Sequence, residues 1–224
     1  MEVLSTSFNS PPLPLSTLLS YLSFANINAV LDLYQRLHKL WHRESDMYEI
    51  LDYTATLELL DIKGESSIFR KHQKIRFLQN NIIAFEDYVW GDGNMMVDYR
   101  CSPGVVVDRY READRWNVLI SLRETKSKGD IVDFHIERTE KNGFTKAEEW
   151  LQTEFRHPAR RLEMNVIFPK KRLCKRAIIV RRSRNQTIML GSKHIQTLSD
   201  GRQLVTWATD KIFGYEVFTL KWSW

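Results

Sequence analysis

From Tyr48 onward the chain alternates apolar and polar residues with a period of two, broken at short intervals by Gly, Asn, Asp or Pro. That rhythm admits little except short antiparallel strands, because period two places every second side chain on one face of a pleated ribbon. Extended runs are read at 48–60, 68–78, 82–90, 96–101, 105–110, 116–122, 132–136, 149–156, 161–168, 175–182, 187–190, 203–209 and 215–222. Turn signals every eight to twelve residues point to an antiparallel β-sandwich or barrel-like body of about ten to twelve strands. No βαβ alternation and no internal repeat is visible. Seven Trp, eight Tyr and eleven Phe against nine Gly agree with filled, half-buried strand faces.

The pattern also predicts pairings. Trp116, Val118, Ile120 and Leu122 alternate inward, as do Val132, Phe134 and Ile136 after a turn around Gly129. Treated as a hairpin, Leu122 opposes Phe134 and Ile120 opposes Ile136. Asp133, His135 and Glu137 then point outward, with Arg123 across from Asp133 as an ion-pair partner. Side chains at i, i+2 and i+4 stand about 7 Å apart, too far for three of them to grip one metal ion. A solvated face is the reading that follows. Gly91-Asp92-Gly93-Asn94 reads as a tight turn, returning 96–101 beside 82–90.

The first 46 residues follow a different rule. Residues 1–14 are Ser- and Pro-rich and read as an extended lead-in; 15–24 can form a short helix. Asn28 is an N-cap for a second helix, on which Val30, Leu33, Tyr34, Leu37, Leu40 and Trp41 make one apolar stripe. The expected organisation is a lead-in and two-helix segment over 1–46 and an all-β domain over 47–224. The stripe packs on the chain's own sheet, or Leu33, Leu37, Leu40 and Trp41 dock on a partner.

Charge is distributed unevenly. Between Arg156 and Arg184 lie eleven Lys and Arg residues against one acid, Glu163, while the whole chain carries only +5. The cations are Arg156, Arg160 and Arg161, then Lys170, Lys171, Arg172, Lys175 and Arg176, then Arg181, Arg182 and Arg184. They bracket the apolar runs 162–168 and 177–180. Pairing those runs as one antiparallel unit puts the first and third clusters in solvent at one end and the middle cluster at the other. Concentrated cations steer acidic partners.

Catalytic signatures are missing from the sequence. Ser102, Ser121 and Cys101 sit in no nucleophile elbow or cysteine-protease pattern, and Gly91-Asp92-Gly93 lacks the GK[ST] ending of a phosphate loop. No cofactor and no metal is implied. Cys101 and Cys174 form no framework and are expected to be reduced. No run of eighteen apolar residues and no basic leader are present, so a cytoplasmic, non-membrane protein is expected. The leading expectation is a non-catalytic interaction or regulatory module that binds an acidic protein partner. Two alternatives stay open: a nucleic-acid or phosphorylated-ligand binder using the same cations, and a hydrolase with an unrecognised site. No aromatic residue except Phe168 interleaves with the cations, which weighs against single-strand stacking.

Overall fold

The computed structural model describes residues 47–224; the stripe Leu33, Leu37, Leu40 and Trp41 and both expected helices lie outside the described residues. The described residues are mainly β, with fourteen strands: β1 (Tyr48–Leu59), β2 (Ser66–Phe77), β3 (Ile82–Trp90), β4 (Asn94–Ser102), β5 (Val105–Glu112), β6 (Arg115–Lys126), β7 (Ile131–Lys141), β8 (Glu148–Phe155), β9 (Ala159–Phe168), β10 (Arg176–Arg181), β11 (Gln186–Met189), β12 (Ile195–Thr197), β13 (Gln203–Ile212) and β14 (Glu216–Ser223). Among the described residues no helix is long and apolar enough to cross a membrane.

Three open sheets are formed. A seven-stranded sheet runs β12-β13-β9-β1-β2-β7-β4, a four-stranded sheet β11-β10-β14-β8, and a three-stranded sheet β3-β6-β5. No sheet closes into a barrel. Every pair is antiparallel except β1 with β9, where Ile50 aligns with Ala159 and Glu58 with Ile167.

Both smaller sheets lie on the inner face of the large one. Phe85 of β3 stacks on Phe134 of β7 at 4.4 Å between centroids. On the other side Phe155 of β8 meets Tyr53 of β1 at 5.1 Å, and Trp222 of β14 meets Phe168 of β9 at 5.8 Å. The three-stranded sheet therefore covers the β2-β7 side and the four-stranded sheet the β13-β9-β1 side. Their end strands β3 and β8 face each other above Tyr53 and Lys71, which line the cavities between them.

Three expected pairings are corrected. β6 lies between β3 and β5 while β7 lies between β2 and β4, so 116–136 is an arch between two sheets. Val118, Ile120, Leu122, Val132, Phe134 and Ile136 are nonetheless buried, and Asp133 and His135 exposed, as the alternation requires. Period two reports which face a side chain occupies, not which strand lies beside it. The inner rows meet across the core instead of side by side. Asp133 accordingly pairs with His72 of β2 at 2.8 Å, and not with Arg123. For the same reason β4 pairs with β7 and not β3, and the strands of the basic segment, β9 and β10, belong to different sheets.

Candidate functional site

Most cations of the 156–184 segment are engaged within the fold. Arg156 places its guanidinium 4.3 Å above the Tyr88 ring and its Nε 3.4 Å from Glu154. Arg160 reaches Glu49 at 3.1 Å, and Arg161 reaches Glu163 at 2.5 Å and Asp52 at 3.5 Å. Arg172 lies 3.7 Å over the Trp224 ring and donates to the Ile62 carbonyl at 2.8 Å, while Lys175 Nζ donates to the Trp224 carbonyl at 3.2 Å. Arg184 approaches Glu216 at 3.9 Å. Lys170 is exposed, close enough to Asp200 to help hold that carboxyl below its ordinary range, behind hydrogen bonds from Arg202.

Arg181 departs from expectation. Its side chain is on the inward row of β10, buried, 3.1 Å from Glu216 and over the Phe218 ring. Placed at a strand end by pattern, it is a core ion pair. Among the described residues, Lys171, Arg176 and Arg182 are exposed and take no ion pair.

Two of those three frame the outer face of the four-stranded sheet. The registers set out its rows. Glu148, Ser223 and Arg176 are abreast; next come Trp150, Lys221, Ile178 and Met189; then Gln152, Thr219, Val180 and Thr187. Glu154 and Val217 follow, with Arg182 just past the end of β10. Apolar side chains are spread over this outward face, Ile178, Val180, Val217, Met189 (57% exposed) and Trp150 (38% exposed), interleaved with Lys221, Thr219, Gln152 and Thr187. Arg176, Lys221 and Arg182, with Arg156 following β8, are its cations. At the same end as Arg182 and Arg156, the loop between β13 and β14 exposes Phe213 and Tyr215. Gly214 of that loop packs against the Arg156 carbonyl, 3.1 Å from where a Cβ would stand.

An outward strand face in an antiparallel sandwich normally alternates to polar residues. The seven-stranded sheet obeys: Arg70 bridges Glu58 and Glu137 at 2.6 and 2.8 Å, and Arg76 pairs with Glu49 at 2.9 Å. The four-stranded sheet does so only in part: Trp150, Ile178, Met189, Val180 and Val217 interrupt an outward face otherwise made of Glu148, Ser223, Arg176, Lys221, Gln152, Thr219, Thr187 and Glu154. A concavity of about 350 Å³ lies on this face, lined by Trp150, Ile178, Lys221, Arg176 and Glu148 among others.

The interior between β3 and β8 is different in kind. Two cavities of about 50 and 60 Å³ sit there, room for one or two waters each at about 30 Å³ per water. An organic substrate needs several hundred. Lys71 pairs with the buried Asp87 carboxylate, to which Tyr99 donates a hydrogen bond at 2.7 Å. Burial, the negative Asp87 beside it and that hydrogen bond all push the Tyr99 phenol far above its ordinary range. Deeper along β7, Arg138 pairs with Glu140 at 2.8 Å, and burial raises the Glu140 carboxyl despite that partner. These groups neutralise one another. Cys101 and Cys174 are free thiols, both raised by burial, Cys174 to about 11. A thiol so raised is a poor nucleophile. Among the described residues no three His, Cys, Asp or Glu side chains are grouped to hold a metal ion.

The face was invisible to a search for charge or motif because its residues come from four strands far apart in sequence. One signal was present. Ala177-Ile178-Ile179-Val180 is a continuous apolar run, which in an antiparallel sheet marks a strand covered on both faces.

Comparison with known proteins adds no family. No family model matches the chain, and no curated protein matches it. Among solved structures it is similar to the M1 zinc metallopeptidase from Deinococcus radiodurans, at 9% identity and a TM-score of 0.48 over 77% of this chain. A mutant two-domain M1 zinc metallopeptidase bound to L-tryptophan gives the same values, and one bound to L-arginine gives 9% and 0.47. This chain spans 42% of the length of each of these structures.

Proposed function

We propose that this chain is a non-catalytic interaction module that binds an acidic protein partner through the outer face of its four-stranded sheet. The observation that carries the reading is the set of outward apolar side chains, Ile178, Val180, Val217, Met189 and Trp150, interleaved with Lys221 and Thr219 and with Arg176, Arg182 and Arg156 at the strand ends. Three inter-strand spacings by about seven residues give a face of roughly 14 by 23 Å. That is about 300 Å² for the whole face, of which the apolar side chains cover only a part. Apolar centres with aromatic and arginine side chains and a charged rim are how protein interfaces are composed. The apolar stripe Leu33, Leu37, Leu40 and Trp41 belongs to the same proposal as a second contact.

A nucleic-acid backbone asks for converging, unneutralised cations. Here Arg156, Arg160, Arg161, Arg181 and Arg184 are already matched to carboxylates. The test is to purify the native chain and its Met189→Asp/Val217→Asp variant under mild salt and weigh both by native mass spectrometry. A stoichiometric protein present with the native chain and lost from an equally stable variant is the expected result. Nucleic acid on the native chain, read by a high 260/280 nm ratio and retained by the variant, would overturn it.

A further inference from the structure

The concavity at one end of this face has a more specific chemistry than the face as a whole. Trp150 and Ile178 flank Lys221 in one row of the sheet, and the next row carries Glu148, Ser223 and Arg176. Resting on the reading of this face as a protein-binding surface, we propose that the concavity anchors a large apolar side chain of the partner, preferably aromatic, whose neighbouring carboxylate pairs with Lys221 and Arg176. The recognised element is a short extended acidic segment carrying one aromatic residue.

Three observations lead there. The first is size: about 350 Å³ is at the lower end of ligand-site volumes, enough for one side chain with an adjoining carboxylate but not for a helix. The second is the wall, where Trp150 is partly exposed across Lys221 from Ile178; tryptophan is among the residues that dominate binding energy at interfaces. The third is charge. Lys221 stands in an otherwise apolar row with no carboxylate partner among the described residues, and neither has Arg176. Covering an unpaired ammonium with apolar surface is costly, so a partner that buries this row must bring a carboxylate to it. Glu148 and Glu149 of β8 also line the concavity, so its carboxylates stand on the β8 side and its cations, Lys221 and Arg176, on the β14-β10 side, where the partner's carboxylate would go. Continuing along the strands, Val180 and, one row further, Val217 receive the rest of the segment.

The experiment uses the full chain and fluorescence anisotropy with a short fluorescein-labelled peptide in which one tryptophan is flanked by aspartates. Control probes replace its tryptophan by alanine, replace its aspartates by lysines, or substitute a labelled oligothymidylate. The native chain is expected to bind the first probe and to lose at least about tenfold in affinity for each control peptide. Trp150→Ala and Lys221→Glu are each expected to weaken the first probe by a similar factor with unchanged melting. Lys221→Glu should also gain affinity for the lysine peptide, a charge swap that a general loss of structure does not produce. No binding of the first probe, or binding indifferent to both Trp150→Ala and Lys221→Glu, overturns the proposal. Oligothymidylate binding that depends on Trp150 overturns it in favour of stacking on a nucleic acid. Loss of the stoichiometric partner with Met189→Asp/Val217→Asp but not with Trp150→Ala or Lys221→Glu would remove the anchor while leaving the wider face intact.

Discussion

Lys71 and Asp87 show what a buried charge requires of its neighbours. Each belongs to a different sheet, both are almost fully buried, and Tyr99 supplies the third member by donating to the second carboxylate oxygen. Removing one partner strands the other. Lys71→Ala is therefore expected to cost about 3–5 kcal/mol, whereas Lys71→Met combined with Asp87→Leu should cost much less, because no uncompensated charge remains. Urea denaturation of the three proteins checks this, and equal losses for the single and double variants would contradict it. A second contrast separates two adjacent arginines. Arg181→Glu places like charge beside Glu216 in the core and should lose a comparable amount, while Arg182→Glu, in solvent, should stay within about 0.5 kcal/mol of native. Charge counting along the sequence treats the two alike. Only the parity of β10, with Ala177, Ile179 and Arg181 inward, tells them apart.

The turn between β1 and β2 is held by one carboxylate and one glycine. Asp61 accepts backbone N–H groups from Lys63 and Ser66 at 2.8 Å each and from Glu65 at 3.2 Å. Partial burial works to raise its carboxyl, yet those hydrogen bonds outweigh it and hold the folded value below the ordinary 3.8. A depressed carboxylate stabilises the fold above its unfolded pKa and loses that contribution as pH falls through the folded one. Asp61→Asn should accordingly flatten the acid limb of the stability curve below about pH 4 and leave the neutral-pH slope unchanged, as read by melting across pH. Gly64, at φ +73°, would bring a Cβ within 1.8 Å of the Phe144 carbonyl oxygen. Gly64→Ala is expected to cost at least about 1–3 kcal/mol on chemical denaturation. The part played by Asp61 was not legible in the sequence, whereas Gly64, between the runs 48–60 and 68–78, was legible as a turn because Gly has few other uses between two alternating runs. Strand positions were legible for the same reason. β12 (Ile195–Thr197) gave no signal, since three residues carry no period. Pairing was not legible at all: arches and hairpins share the same turn chemistry, and it takes the sheet order, with Phe85 of β3 packed on Phe134 of β7, to show that the sheets of β6 and β7 face each other through the core.

Taken together, the three sheets share one core, since Tyr48, Phe85 and Phe134 interlock one small sheet with the large one and Tyr53, Phe155, Trp207 and Phe218 interlock the other. The β body should therefore unfold in one transition, with tryptophan fluorescence and far-UV circular dichroism coincident; separated midpoints would show that one small sheet detaches first. The site was less legible than the fold. Its cations were visible in sequence, yet most of them serve internal pairs, and the outward apolar residues among them come from β8, β10, β11 and β14, no two of which are successive except β10 and β11.

The parallel pairing of β1 with β9 also has a consequence in time. One flank of β1 finds β2 as soon as the first turn emerges, but the other waits for Ala159, 109 positions after its partner Ile50. At synthesis rates of about 5–20 residues per second that delay lasts roughly 5–20 s. Throughout it, the strand destined for the middle of the largest sheet is an open edge on a nascent chain, able to pair with any extended segment that reaches it. The protein's most exposed moment thus comes before its ninth strand leaves the ribosome, and a chaperone that shields β1 over that interval would protect the whole sheet.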